Sequence, residues 1–283
     1  MNDWLNDARK LPPIVEIIPD MIIENNFIIL FGSAGVGKTI FAMQMANAIA
    51  EKNYRIVYFD FELSERQLLL RYPTKIFDSN FVRIELDREN PIEDILLSIK
   101  ENALANNARV IFVDNIAALS LSLDKGNEAG ALMEKLNALK RKYGWTLVVL
   151  THIPKMYDGK TLSISSVQGS AKINQLADDV IGIAKTKESD KIYVKQCKFR
   201  CKEEKMTADN VAIFRKEKDE NGNVLFTPCG YDKEKNLVTN SNNFTDLALQ
   251  IKELINSGMR QTQISKKLGI SQSKVSRISR SID

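Results

Sequence analysis

The sequence predicts an α/β fold, in which a mainly parallel sheet is flanked by helices, followed by a small all-α tail. Between residues 27 and 193, short apolar runs alternate with amphipathic stretches, and this alternation is typical of parallel strands joined by helices. A glycine-rich turn at residues 32–39 connects the first apolar run to the first amphipathic stretch. Residues 244–283 have the spacing of short helices. We therefore expect one large α/β domain and a small helical one.

The individual elements follow from the same patterns. Short apolar runs, which indicate buried strands, lie at residues 27–31, 55–61, 109–113 and 146–151, with weaker ones at 180–184 and 191–196. Stretches with one apolar face, which indicate helices, lie at residues 38–51, 64–72, 91–106 and 127–143. Two further runs, 211–215 and 223–227, flank a turn centred on Asn221-Gly222 and predict a β-hairpin.

These elements divide the chain into four segments. Residues 1–26 precede the first buried strand and are interpreted as an N-terminal arm, and residues 27–235 form the predicted α/β core. Residues 236–243 read Asn-Leu-Val-Thr-Asn-Ser-Asn-Asn, which can bury little apolar surface, so they are predicted to be a linker. Residues 244–283 form the predicted all-α tail.

Composition limits the class of protein. With 283 residues, of which 44% are hydrophobic and 27% charged, the chain has the composition of an ordinary globular protein. Neither a signal peptide nor a membrane-spanning run is expected from the pattern, so we predict a cytoplasmic protein with no membrane partner. The three cysteines favour reduced thiols, and a single histidine leaves no zinc spacing to propose.

The net charge of +4 is concentrated in the tail. Residues 244–283 carry seven basic and three acidic side chains, a balance of +4, so the rest of the chain sums to zero. A basic appendage on a neutral core is typical of nucleic-acid binding, although a solvated helix face could also carry these charges.

Residues 32–39 read Gly-Ser-Ala-Gly-Val-Gly-Lys-Thr, which matches the phosphate-binding pattern Gly-x-x-x-x-Gly-Lys-[Ser/Thr]. Glycines let consecutive backbone N–H groups point at phosphates where a helix begins. Lys38 would contact the β and γ phosphates, and Thr39 would offer its hydroxyl to Mg²⁺. We therefore expect ATP and Mg²⁺ as cofactors, the alternative being a plain glycine turn. The predicted nucleotide contacts are Gly32, Ser33, Ala34, Gly35, Val36, Gly37, Lys38, Thr39 and Ile40.

Carboxylates follow two of the predicted strands. Four apolar residues precede Asp114, so Asp114 is expected to end a buried strand and to hold Mg²⁺ directly or through its water shell. Another strand ends with Asp60 and Glu62, which by alternation would share one face. Glu62 is nearer to the strand end, where ligands meet such sheets, so we predict it as the base for water. A charge that starts the next helix is the alternative, and Asp60 is the next candidate for the base.

The segment from Ile56 to Tyr72 reads Ile-Val-Tyr-Phe-Asp-Phe-Glu-Leu-Ser-Glu-Arg-Gln-Leu-Leu-Leu-Arg-Tyr. It resembles the segment after the second strand of hexameric replicative helicases of the RecA-like superfamily, in which Glu62 falls on the catalytic glutamate. Residues 11–13 and 18–22 are similar to the entry of plasmid-encoded RepA-type helicases, and residues 148–155 and 168–179 are similar to the fourth strand of this group and the segment after its loop. The resemblance spans about residues 11–230 and implies a RecA-like P-loop core that assembles into a homo-hexamer or another ring.

The resemblance also assigns roles beyond the phosphate loop. His152 ends the strand whose polar end senses the γ-phosphate in this group, although a single histidine can be purely structural. The polar loop that follows is similar to their DNA-facing loop. Its lysines are candidates for contacts to single-stranded DNA, or are ordinary solvated side chains: Lys155, Lys160 and Lys172.

Lys198 and Arg200 occupy the place where these helicases carry a lysine and an arginine two residues apart. The resemblance implies that both side chains reach the nucleotide of the neighbouring subunit and act there as an arginine finger. A merely basic hairpin is the alternative, because Lys195, Lys202 and Lys205 lie close in sequence.

The tail has an apolar spacing by which two short helices bury a common face across a tight turn at Gly269: Ile264, Leu268, Ile270, Val275 and Ile278. This pattern resembles the helix-turn-helix of resolvases and site-specific regulators. Its second helix would present polar and basic side chains to duplex DNA, or to a protein: Gln272, Ser273, Lys274, Ser276, Arg277 and Arg280.

The sequence thus predicts an ATP-hydrolysing, ring-forming DNA helicase of a mobile element that acts in DNA replication. Single-stranded DNA would bind through the core and duplex DNA through the tail. The alternative is an ATP-switched, non-translocating DNA-binding regulator or a replication or helicase-loading factor, which the tail favours because a motor needs no sequence-reading module. A recombinase agrees less well with the Glu62 segment and with the spacing of Lys198 and Arg200.

Overall fold

The computed structural model describes residues 3–87, 89–115, 126–152, 161–166, 175–238 and 241–279. The chain divides into two compact units, Met1–Leu237 and Val238–Asp283. No helix within these described ranges is both long and apolar enough to cross a membrane. The three cysteines, Cys197, Cys201 and Cys229, are free thiols.

The larger unit is built around a nine-stranded sheet with strand order β11-β10-β9-β8-β3-β7-β6-β4-β5, and β1 pairs with β2 in a separate hairpin. The strands are β1 (Glu16–Ile18), β2 (Ile22–Ile23), β3 (Phe27–Gly32), β4 (Ile56–Asp60), β5 (Phe81–Glu85), β6 (Val110–Asp114), β7 (Thr146–His152), β8 (Asp179–Lys185), β9 (Lys191–Phe199), β10 (Val211–Lys218) and β11 (Val224–Asp232). All neighbouring strands in the part of the sheet ordered β8-β3-β7-β6-β4-β5 pair in parallel. Pairing is antiparallel from β8 to β11. The predicted α/β fold with a mainly parallel sheet is confirmed.

Helices flank the sheet and form the smaller unit. Those of the larger unit are α1 (Asp3–Ala8), α2 (Lys38–Ala50), α3 (Glu65–Arg71), α4 (Ile92–Ala105), α5 (Gly126–Tyr143) and α6 (Glu234–Leu237), with a 3-10 turn at Ile164–Ser166. Those of the smaller unit are α7 (Ser241–Asn256), α8 (Gln261–Leu268) and α9 (Gln272–Ser279). Strands β3, β4 and β6 are buried at every residue, as expected for parallel strands covered on both faces.

Helix α2 is fixed from two sides. The phosphate-loop turn joins it to β3, and its Phe41 ring packs edge-on against Phe214 of β10 and Phe226 of β11, at centroid distances of 5.0 and 5.9 Å. Gln44 of α2 exchanges two hydrogen bonds of 2.8 Å with the backbone of Phe226. The hairpin β10–β11 therefore holds the beginning of α2 in place relative to the sheet.

The carboxyl ends of the central parallel strands share one edge. Gly32 at the end of β3 pairs with His152 at the end of β7, and Asp60 of β4 pairs with Asp114 of β6. Residues from four distant parts of the sequence therefore meet at this edge, which is where open α/β sheets bind ligands.

Two segments differ from the sequence-based prediction. Residues 1–26, interpreted as an arm, contain the β1–β2 hairpin, and its Ile17 and Ile22 are buried in the core of the larger unit. Within residues 236–243, predicted as a linker, α6 ends at the buried Leu237 and α7 begins at Ser241. The polar run Ser-Asn-Asn therefore belongs to the first turn of α7 and not to a linker.

Candidate functional site

The phosphate-loop residues form one continuous turn between β3 and α2. Gly35 and Gly37 have φ angles of 72° and 102°, in the region that glycine adopts without steric cost. A Cβ atom on Gly37 would lie 2.7 Å from Cζ of Phe226, so the Phe226 ring packs directly on the turn. The structure thus brings together the whole stretch from Gly32 to Ile40 that the sequence predicts to bind nucleotide.

Lys38 lies beneath this turn and is only 5% exposed. Its ammonium group donates to the carbonyl oxygens of the first two loop residues, at 2.9 and 3.0 Å, and lies 2.9 Å from Nδ1 of His152. Burial lowers the pKa of Lys38 to about 8, although the charges of Asp114 and Glu62 oppose this shift. The side chain is therefore still mostly protonated at neutral pH and able to neutralise phosphate charge.

Asp114 and Thr39 fit the predicted role in holding Mg²⁺. Oδ2 of Asp114 accepts a hydrogen bond of 2.6 Å from the hydroxyl of Tyr58, and the Thr39 hydroxyl also hydrogen-bonds the carboxylate. Oδ1 is buried and has no hydrogen-bond partner among the described residues. Burial raises the pKa of Asp114 to about 7, although the hydrogen bonds from Tyr58 and Thr39 lower it. A buried carboxylate oxygen without a partner, next to a threonine hydroxyl, suits a hard cation such as Mg²⁺.

Nucleotide phosphates would have to complete the coordination of such an ion. Within the described ranges, no group of three or more His, Cys, Asp or Glu side chains could hold a metal alone. This agrees with the usual binding of Mg²⁺ through one or two carboxylates, water and substrate phosphates.

Glu62 lies just beyond the end of β4, with 35% of its side chain exposed. Its Oε1 accepts a hydrogen bond from the side-chain amide of Asn115 and lies 3.3 Å from Nε2 of His152. The hydrogen bond with His152 is the main cause that lowers the pKa of Glu62, and burial opposes it. An ionised, partly exposed carboxylate at this edge can accept a proton from water.

Asp60, in contrast, is fully buried in a structural contact. Its Oδ2 lies 2.9 Å from Nε of Arg83, and its Oδ1 accepts the backbone N–H groups of Glu62 and Leu63. Strand β4 ends at Asp60, so the alternation of a strand does not continue to Glu62. The expectation that Asp60 and Glu62 share one face is therefore corrected, and Asp60 is withdrawn as the next candidate for the base.

Lys198 and Arg200 lie near the opposite ends of the strands from Lys38, and not at the strand ends that form the phosphate site. Phe199 between them pairs with Asp179, the first residue of β8, whereas Gly32 of the phosphate loop pairs with Ile183 farther along β8. Nζ of Lys198 donates to a backbone carbonyl at 2.6 Å. The Arg200 guanidinium is 54% exposed and lies 3.0 Å from Oδ1 of Asp178. Neither side chain belongs to the phosphate site of its own chain.

A buried network of charges lies beside the segment at 161–166, which is part of the predicted DNA-facing loop. Glu234 is 1% exposed, and its Oε1 accepts hydrogen bonds from the backbone N–H of Leu162 and the hydroxyl of Tyr193, at 2.6 and 3.0 Å. Nζ of Lys195 donates to Glu234 Oε2 at 2.6 Å and to the Leu162 carbonyl at 2.7 Å. These contacts, the Glu234 network, join α6, strand β9 and the loop segment.

The predicted DNA contacts are described only in part. Lys155, Lys160, Lys172 and Arg280 lie outside the described residues. In the smaller unit, Ile251, Ile264, Val275 and Ile278 form a buried core. Gly269, with φ of 64°, ends α8, and Ser265 Oγ donates to the carbonyl of Ile270 at 2.7 Å. Along α9, Gln272, Ser273, Lys274 and Arg277 are exposed and Ser276 is partly exposed.

Three partners of the site were not singled out from the sequence. Tyr58, Arg83 and Asn115 each contact one of the predicted carboxylates. Asn115 could have been found by its position directly after Asp114 at a strand end. Tyr58 and Arg83 carry no comparable local signal, because each lies within a strand and its partner is distant in sequence.

Comparisons with known proteins agree with this architecture. A family model described as AAA domain matches residues 1–158. Among solved structures, a KaiC-like protein from the hyperthermophilic archaeon Pyrococcus horikoshii is similar, with a TM-score of 0.58 and 21% identity, over 76% of this chain and 100% of that chain. This likeness supports the RecA-like fold. None of the curated proteins matches the sequence.

Proposed function

The chain belongs to the AAA domain family, and on this premise we propose that it is a ring-forming, ATP-hydrolysing DNA motor, a helicase of a mobile element that acts in DNA replication. At the coarser level it is a P-loop ATPase with a RecA-like core. The motor, its DNA substrate and its assembly are the proposal.

The single observation that supports ATP hydrolysis best is the meeting of four polar side chains at one sheet edge. Lys38, Glu62, Asp114 and His152 come from the ends of four strands or from the loops after them, and Lys38 and Glu62 both contact the His152 ring. Lys38 would bind the β and γ phosphates, Asp114 and Thr39 would hold Mg²⁺, and Glu62 would accept the proton of the attacking water. Mg²⁺ would neutralise the charge that develops on the phosphates.

The position of Arg200 favours assembly into a ring. Arg200 projects from the sheet edge opposite Lys38, roughly 15 Å away along the strands at 3.3 Å per residue. It is half exposed, so it is available to the phosphate site of another copy. A homo-hexamer or another closed ring would supply this arginine to every site.

The short distance in sequence between His152 and the predicted DNA-facing loop favours DNA binding by the core. His152, which contacts Lys38, is the last residue of β7, and the predicted DNA-facing loop, Lys155 to Lys172, begins three residues later. A change at the γ-phosphate would thus reach the DNA loop through the same strand end. Lys155, Lys160 and Lys172 remain the proposed contacts to single-stranded DNA.

The second candidate function, a non-translocating ATP-switched regulator or loading factor, is favoured by the smaller unit. Its helix α9 exposes Gln272, Lys274 and Arg277, side chains suited to base edges and phosphates of duplex DNA. A motor that follows the backbone of one strand has no need of such a helix.

The rate of phosphate release by the full chain distinguishes the two functions. It is measured with Mg²⁺ and saturating ATP without DNA, with a single-stranded oligonucleotide, and with a duplex of the same length at the same salt. The single strand should raise the ATPase rate of a motor about tenfold or more. A tenfold increase corresponds to lowering the activation free energy by about 1.4 kcal/mol. Stimulation by duplex alone, or by neither, would favour the regulator, and Glu62→Gln controls for contaminating ATPases.

A further inference from the structure

The His152 ring lies between the lysine of the phosphate loop and the proposed catalytic glutamate. Its Nδ1 is 2.9 Å from Lys38 Nζ, and its Nε2 is 3.3 Å from Glu62 Oε1 and 2.9 Å from Nδ2 of Asn115. Asn115 is 1% exposed and donates to the same Glu62 oxygen. One imidazole thus contacts a group that should bind phosphate and a group that should activate water.

The contact with Lys38 determines which ring nitrogen carries the proton. A lysine ammonium group has three donors and no acceptor. Its other neighbours here, the carbonyl oxygens of Gly32 and Ser33, are acceptors, so Nδ1 of His152 must also accept. A neutral imidazole with Nδ1 as acceptor carries its hydrogen on Nε2, and that hydrogen is directed to Glu62.

Asn115 and His152 therefore both donate to one carboxylate oxygen, whose two lone pairs they occupy. The amide of Asn115 and Nε2–H of His152 are both donors, they lie 2.9 Å apart, and both face Glu62 Oε1. Rotating the Asn115 amide by 180° would place its carbonyl oxygen against the Glu62 carboxylate, which is worse. A favourable Asn115–His152 hydrogen bond requires Nε2 to become an acceptor.

We propose that Asn115 is a positioning residue and that movement of the His152 ring proton from Nε2 to Nδ1 releases Glu62 when Lys38 turns to the phosphates of ATP. This rests on the proposed ATPase function. Lys38 leaves Nδ1, and Nδ1–H then donates to an oxygen of the γ-phosphate, which can only accept. Nε2 becomes the acceptor of the Asn115 amide and no longer donates to Glu62. The lone pair of Glu62 Oε1 that His152 occupied is then free to accept a hydrogen bond from the attacking water.

The exchange does not change the number of protons that the imidazole carries. One hydrogen leaves Nε2 and one joins Nδ1 through solvent, so the imidazole stays uncharged before and after, and no co-reactant is needed. The exchange costs Nε2 of His152 its hydrogen bond to Glu62. Asn115 compensates for this loss, because its amide then donates a new hydrogen bond to Nε2.

The chain contains one histidine, so a two-bond ¹H–¹⁵N NMR spectrum of ¹⁵N-histidine-labelled protein reports on His152 alone. Without nucleotide, the hydrogen should be on Nε2. With Mg²⁺ and a non-hydrolysable ATP analogue it should be on Nδ1. Binding of the analogue is measured separately by calorimetry. If the analogue binds and the hydrogen stays on Nε2, the proposal is overturned while the ATPase function stands; if the analogue does not bind, both are overturned.

Two variants test the residues that drive the exchange. Lys38→Met removes the donor at Nδ1, so the hydrogen should leave Nε2 even without nucleotide. Asn115→Leu keeps the branched shape but removes the donor to Nε2, so the shift to Nδ1 should weaken and kcat should fall about tenfold with KM nearly unchanged. Equal changes in kcat and KM with a normal proton shift would contradict a positioning role. If Asn115→Leu does not fold, the spectra of the unmodified chain and of Lys38→Met still decide.

Discussion

At the scale of single residues, Lys38 and Glu62 should fail in different ways when replaced. Lys38→Ala should abolish nucleotide binding or turnover, because it removes the buried cation at the phosphate loop. Glu62→Gln should keep ATP bound but slow its cleavage by about 10² or more, since acid–base assistance contributes on that order. Calorimetric binding and single-turnover hydrolysis separate the two defects. Normal cleavage by Glu62→Gln at saturating ATP would reject Glu62 as the base.

Asp60 is the matched control for Glu62, since it lies two residues earlier but is paired with Arg83. Asp60→Asn leaves the mostly buried Arg83 with only the half-exposed Glu85, 3.5 Å away, as a counter-charge, and the free energy of unfolding should fall by about 3 kcal/mol. Urea unfolding measures this loss. A variant with unchanged stability and a hydrolysis defect like that of Glu62→Gln would return Asp60 to the candidates for the base.

At the scale of elements, the Glu234 network should be a large local source of stability. Glu234→Ala leaves Lys195 without its buried partner and the backbone N–H of Leu162 without its acceptor. Breaking a buried pair from one side costs about 3 to 5 kcal/mol. Glu188→Ala, which removes the exposed partner of the partly buried Lys191, should cost about 1 kcal/mol or less. Urea unfolding measures both losses, and a loss as small as that of the control in Glu234→Ala, about 1 kcal/mol or less, would show that the network does not stabilise the larger unit.

The strands of the sheet centre could be predicted because burial on both faces leaves a continuous apolar run. The edge strand β5 was missed, since Phe81–Glu85 is only half-buried and its pattern carries charges. The β1–β2 hairpin was missed because its strands have three and two residues. Helix α7 was missed where its polar first turn was interpreted as linker.

The site residues could be predicted where a reactive polar side chain stands at or just after the end of a strand, as for Asp114, Glu62 and His152. Their mutual contacts could not, because contacts depend on strand order and register. Asp60 shows the limit of alternation: the rule holds inside a strand, and β4 ends two residues before Glu62.

At the scale of the whole molecule, the smaller unit should be separable from the ATPase. A chain that ends at Val238 keeps the buried Leu237 and stops before α7. It should fold and hydrolyse ATP, while its affinity for duplex DNA falls about tenfold or more, because a protein that loses phosphate contacts loses salt-dependent affinity. Fluorescence anisotropy at one salt concentration measures this.

The full chain supplies the controls for that truncation. Arg277→Ala on the exposed face of α9 should weaken duplex binding more than Lys252→Ala on α7, although both remove one exposed charge. Unchanged duplex affinity of the truncated chain would reject the smaller unit as a DNA-binding domain.

The position of Arg200 predicts complementation between subunits. Arg200→Ala should bind ATP almost normally but lose hydrolysis by about 10³ or more, as removal of an arginine finger does. Mixing it with Lys38→Ala pairs an intact phosphate site on one chain with an intact arginine on another, so activity should partly return. Lys205→Ala removes an exposed basic residue in the connection between β9 and β10 that also contains Arg200, and it should keep full activity. If subunit exchange is demonstrated and no activity returns at any ratio, Arg200 does not act in trans.

The strand order has a further consequence for biosynthesis. The phosphate-binding strand β3 is complete at Gly32, but its two neighbours in the sheet, β7 and β8, are complete only at His152 and Lys185. The ribosome needs roughly 8 to 30 s for these last 150 or so residues, at about 5–20 residues per second. Throughout that interval a six-residue apolar strand has at least one edge without its native partner, and such edges pair readily with other chains. The yield of folded protein should therefore depend on chaperones that shield the nascent chain, and slower translation without them should increase aggregation.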